Sequence, residues 1–232
     1  MTHDQHSRST HVLLAFWICS VLVLWSLAHA LNRWLFMMDE STPALRFTWW
    51  TAAKLVTWLL PTWILLRRCG GASARWLGLA TARGLGVASV WSVLWIAVQE
   101  LGGWLQLPLF SRPPADLAWY SLAGSLVIAP IFEELMFRGA LLRTMRAAGH
   151  SQSLCVIASA IAFAMLHVPG WIFRRGLDAS IAAAFLSMCA FGVVAGLLAW
   201  RTPALWAPIL FHSANNFWSS GALAGVLAGC VI

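Results

Sequence analysis

The chain is a succession of apolar stretches, most of them about as long as a bilayer core requires. A helical crossing takes about 20 consecutive, mostly apolar residues. Residues 12–31, 47–66, 85–107, 117–142, 153–168, 179–200 and 203–218 each meet or approach that pattern. The fifth stretch runs into Pro169-Gly170, which predicts a helix stop there. A last piece, 221–232, is too short to span alone and either extends the seventh helix or forms a partial eighth. Composition agrees: of 232 residues, 60% are hydrophobic and 10% charged, against about 25% charged in a soluble domain. One soluble core of this size has too little interior to hide so much apolar surface, and disorder needs the opposite composition. The expected fold is an all-α polytopic transmembrane bundle of about seven to eight helices, with residues 1–232 as a single integral membrane domain. The triplet Ala28-His29-Ala30 resembles a signal-peptide cleavage site. The segment before the first stretch carries one Arg, offset by Asp4, and the apolar run is long, so the stretch is read as a retained helix.

The net charge of +7 does not point to nucleic acid, because the Lys and Arg residues are scattered, with no run longer than Arg67-Arg68 or Arg174-Arg175. In a membrane protein they are orientation signals and headgroup contacts. With the N-terminus inside, nine arginines fall on the inner side (Arg8, Arg67, Arg68, Arg75, Arg83, Arg138, Arg143, Arg146, Arg201). Five fall outside (Arg33, Arg46, Arg112, Arg174, Arg175). That bias predicts a cytoplasmic N-terminus in the cell (inner) membrane. The five cysteines show no metal or short-range pairing pattern and are read as packing residues. Gly192 and Gly196 form a small-xxx-small pair, the mark of close helix contact.

Acidic residues are scarce, and three of the eight lie inside apolar stretches: Glu100, Glu133 and Glu134. An ionisable group in lipid costs about 2.5–3.5 kcal/mol on insertion scales, so it stays where it has a partner or a task. Lys54 and Glu100 are expected to pair across the second and third helices or to snorkel; the alternative is that they line a water path. Glu134 and Arg138, four apart, share a helix face and form an intrahelical pair. Glu133 lies about 100° round the axis and is the carboxylate without that partner, suited to proton transfer. His167 sits on the otherwise apolar fifth helix. His212 and Asn216 share a face of the seventh, while Asn215 points elsewhere. Each signal alone is weak; on three helices together they describe a polar cavity in the bilayer. A Glu with two His can activate water, and an amide or imidazole donor can hold an oxyanion, which points to hydrolysis. The sequence has no His-Glu-x-x-His, no Gly-x-Ser-x-Gly and no phosphate-binding Gly-rich loop.

The ordered elements Glu133-Glu134-x-x-x-Arg138, Phe163-x-x-x-His167 and His212-x-x-x-Asn216 resemble the motifs of the CPBP family. This is the family of type II CAAX prenyl endopeptidases and bacteriocin-processing, abortive-infection-like proteins. The likeness covers about residues 117–218, as the catalytic core. It implies an intramembrane endopeptidase that cuts near the C-terminus of a membrane-associated or lipid-anchored protein or peptide. It further implies that Glu133 is the general base, that His167 helps hold the water, and that His212 and Asn216 position substrate or stabilise the oxyanion. Glu134, Arg138 and Phe163 are supporting residues. The implied mechanism needs no cofactor; zinc held by Glu133, His167 and His212 is the minority alternative. Two rivals use the same polar cavity: a proton-coupled transporter and a non-catalytic membrane partner. Helix lengths raise one difficulty, for they place Glu133 and His167 at depths roughly 15 Å apart.

Overall fold

The computed structural model describes residues 3–35, 42–69, 73, 76–105 and 118–220. Among them the chain forms seven continuous helices and no strand. These are α1 (His3–Leu35), α2 (43–68), α3 (Leu85–Trp104), α4 (119–147), α5 (Gln152–Arg175), α6 (Ser180–Arg201) and α7 (Trp206–Ser219). Caps mark two starts: the Thr42 hydroxyl accepts from the Leu45 amide ahead of α2, and Ser151 accepts from Leu154 ahead of α5. Among the described residues, four helices are long and apolar enough to cross a membrane: α1, α3, α5 and α6. Their outward faces carry large apolar side chains such as Val12, Phe16, Val23, Val90 and Val93. The protein is therefore an integral membrane, all-α bundle. Residues 221–232 lie outside the described residues, as do Asp39, Glu40, Arg75, Arg112 and Asp116.

α2 and α4 are each opened by π-helical turns, at 55–59 in α2 and at 124–128 and 135–142 in α4. Pro61 and Pro130 follow the first two of these closely. A proline has no N–H to give and crowds the carbonyl four residues back, so the preceding turn widens. α7 has 14 residues, about 21 Å of helix, and is shorter than a hydrocarbon core of about 30 Å.

α5 does not stop at Pro169-Gly170; it continues to Arg175. Tertiary packing overrides the local signal here. Beyond the proline, the Phe173 ring stacks on His29 of α1 with centroids 5.9 Å apart. Gly170 lets that helix close in, since a Cβ there would lie 3.2 Å from the His29 ring. The extension sets His167 in the body of a 24-residue helix rather than at its end. The expected depth mismatch with Glu133 thereby disappears.

The Gly192–Gly196 pair does what its spacing predicts. A Cβ on Gly192 would lie 2.9 Å from Ala160, and one on Gly196 would lie 3.2 Å from Val156, so α5 and α6 touch through these positions. Gly192→Val is expected to destabilise the protein by about 1–3 kcal/mol through overpacking, read as a lower melting temperature in detergent. α1 is built into the same bundle. Its Trp17 indole donates to Thr62 at 3.2 Å, and Trp25 packs on Trp50 and Trp58.

Candidate active site

Glu133 and Glu134 sit at the end of the regular turn that follows Pro130, just before α4 widens again. The proline explains how α7 is held there. Lacking an N–H, Pro130 leaves carbonyls one turn back without their usual donor. α7 supplies donors: the Ser213 hydroxyl gives a hydrogen bond to the Leu126 carbonyl at 2.8 Å, and the Asn216 amide gives one to the Ser125 carbonyl at 2.8 Å. The two helices are stitched together at the level where the acids lie.

Glu134 and Arg138 pair as their spacing predicts, at 3.1 Å, and both are 0% exposed. The pair does more than neutralise itself. Arg138 also donates to the Gly192 carbonyl of α6 at 3.0 Å, and its guanidinium lies 4.7 Å from the centre of the Phe163 ring. Glu134 accepts a second bond, from Nδ1 of His212 at 2.8 Å. An ionised carboxylate is acceptor-only, so His212 Nδ1 carries the proton and Nε2 presents its lone pair. His167 is oriented likewise: Nδ1 donates to the Phe163 carbonyl at 3.0 Å. Phe163 thus has two functions. Its carbonyl sets the tautomer of His167, and its ring packs against Arg138, His167 and His212.

Both free Nε2 atoms face one target. His167 Nε2 and His212 Nε2 each lie 3.8 Å from Oε2 of Glu133. That oxygen is buried and has no hydrogen-bond partner among the described residues. Glu133, His167 and His212 come together from α4, α5 and α7.

Asn216 lines the same cavity as Glu133 and His167. Its carbonyl oxygen accepts from Asn215 at 3.2 Å, and Asn215 in turn accepts from the Trp95 indole of α3 at 2.9 Å. Asn215 does point away from the cavity, but it orients the amide that does not. Sequence reasoning missed this relay, together with Ser213 and Trp95. For Ser213 the signal available was Pro130, whose orphaned carbonyls take side-chain donors from a neighbour.

Lys54 and Glu100 do not pair. Lys54 faces the cavity with its ammonium 5.1 Å from the Trp58 ring centre, whereas Glu100 accepts from the Trp218 indole. α2 packs against the first part of α4 and not against α3, and this turns Lys54 toward α4. The cavity holds about 920 Å³ and is walled by α1, α2, α4 and α5, with Asn216 from α7.

Residues 115–218 match the family model described as type II CAAX prenyl endopeptidase Rce1-like. The matched segment carries α4 to α7 and every residue of the Glu133 centre, while the α1 and α2 walls lie outside it. No curated protein and no solved structure matches the chain.

Proposed function

We propose that this membrane protein, whose residues 115–218 form an Rce1-like domain of the CPBP protease family, hydrolyses a peptide bond near the C-terminus of a membrane-associated substrate with a water activated by Glu133. The observation that carries the reading is the pair of 3.8 Å separations between Glu133 Oε2 and the two histidine Nε2 atoms. Direct hydrogen bonds reach about 3.2 Å. One water, about 2.8 Å from each group, closes the longer gap. In this arrangement Glu133 takes one of the water's two hydrogens as a proton while one imidazole Nε2 accepts the other and holds it. The hydroxide adds to the scissile carbonyl, forming a tetrahedral intermediate. The amide of Asn216 has two hydrogens, and Ser125 uses one, so the other serves the oxyanion. Glu133 then returns its proton to the leaving nitrogen, and the C–N bond breaks to give a carboxylate and an amine. Glu134 holds His212 in the working tautomer throughout, with Arg138 balancing its charge.

Zinc binds such ligands at about 2.0–2.2 Å, which sets neighbouring ligand atoms roughly 3.4 Å apart, against 3.8 Å here. Among the described residues no group of three or more His, Cys, Asp or Glu is gathered so as to hold a metal. Glu133, His167 and His212 are the residues that would hold it, and no step above runs through a metal. Chelation of the purified protein is expected to leave cleavage within about two-fold. Loss of activity on chelation, regained with zinc, overturns the metal-free mechanism.

The structure also bears on orientation. Three of the five arginines assigned to the outer side, Arg33, Arg46 and Arg174, line the cavity, so the site accounts for them. With those three and the buried Arg138 set aside, eight inner arginines face two outer ones. This supports a cytoplasmic N-terminus.

The test is to incubate the detergent-purified protein with membrane-anchored peptides in H₂¹⁸O and weigh the products. One ¹⁸O in each new carboxylate is the expected result. Substrate-dependent proton flux in liposomes without any cleavage would replace this reading with transport.

A further inference from the structure

Lys54 belongs to none of the motifs, lies outside the family-matched segment, and has no role in the steps above. It lies within electrostatic range of Glu133 and His167. Yet no carboxylate makes an ion pair with it among the described residues. It is one rung of a stripe. Arg46, Trp50, Lys54 and Trp58 stand four apart on one face of α2, and all four line the cavity. Cation and aromatic alternate, with the Lys54 ammonium resting on the Trp58 ring. Arg46 to Lys54 covers eight residues of helix, about 12 Å. That matches roughly four residues of extended peptide.

We propose that this α2 stripe is the specificity wall of the cavity and selects a substrate segment that carries negative charge, a carboxylate held by Lys54 between the Trp50 and Trp58 rings. The inference rests on the reading of the cavity as a proteolytic centre. A half-buried ammonium that opens onto the cavity, with no carboxylate ion-paired to it among the described residues, can take a substrate anion. The tryptophans suit the apolar body of the same segment. The carboxylate comes either from an acidic side chain or from a free C-terminus.

Binding tests this apart from cleavage. The Glu133→Gln protein in neutral detergent is titrated with one apolar octapeptide carrying an uncharged fluorophore, made in three forms. One ends in an amide, one ends in a free carboxylate, and one ends in an amide but carries a Glu in its last four residues. The expected result is that at least one anionic form binds about tenfold or more tighter than the neutral form. Tighter binding of the second form alone assigns the carboxylate to the C-terminus; tighter binding of the third assigns it to a side chain. Adding Lys54→Met is expected to abolish the preference, and Lys54→Arg to keep most of it, with melting temperatures showing that both variants are folded. Equal binding of all three forms, or a preference that survives Lys54→Met, overturns the proposal. A charge preference in binding by a protein that cleaves no peptide sinks the proteolytic reading and leaves the anion site standing.

Discussion

Glu133→Gln is expected to slow peptide cleavage roughly 10³-fold or more while leaving the protein folded. General acid–base catalysis by one positioned group contributes about 10²–10⁴, and Glu133 is asked to serve twice, first on the water and then on the leaving nitrogen. Glutamine keeps the volume and can accept a hydrogen bond, but it takes no proton. The carboxylate is only 5% exposed, and its Oε2 has no direct hydrogen bond among the described residues. Removing its charge therefore removes no direct contact to that oxygen. The measurement is turnover of a membrane-anchored peptide, with melting temperature and gel filtration in detergent alongside. A folded variant that keeps a tenth of the activity removes Glu133 from the role of base. A variant that does not fold would instead give the carboxylate a structural task, as the non-catalytic rival requires.

Arg138→Met is expected to be the most damaging change for stability, at about 3–5 kcal/mol. Breaking a buried pair leaves one charge uncompensated, and that residual charge is the main cost. Here the survivor is Glu134, fully buried, with His212 as its remaining hydrogen-bond partner among the described residues. The substitution also removes the bond to the Gly192 carbonyl and so loosens α4 from α6. Glu134→Gln combined with Arg138→Met removes both charges and is expected to regain most of the stability. Activity is expected to stay down by roughly 10²-fold, because His212 has lost the ionised acceptor that sets its tautomer. Thermal melts and turnover measured on both variants separate the two effects. Full activity in the stable double variant would show that Glu134 does not orient His212 for catalysis.

The pairing of Glu134 with Arg138 was legible because both lie on one helix, where a spacing of four fixes their meeting. The close contact at Gly192 was legible for a similar reason: the missing Cβ is itself the signal. Lys54 with Glu100 was not legible, since which face of α2 meets which neighbour depends on packing that no local pattern records. The stop at Pro169 was misjudged because a proline's penalty is local, while the contacts of Gly170 and Phe173 with His29 come from a helix well over a hundred residues away.

The sequence by itself determined that this chain lives in a bilayer, since 60% hydrophobic content in crossing-length stretches leaves no other solvent for it. It also singled out Glu133, by charge bookkeeping along one helix. Only the tertiary structure decided that Glu134 reaches His212, that Phe163 and Glu134 set the two imidazoles so that both lone pairs face Glu133, and that Lys54 opens onto the same cavity. The physical reason is one of range. Helical periodicity fixes relations within a turn or two, whereas hydrogen bonds between helices depend on rotations and depths set by the whole bundle.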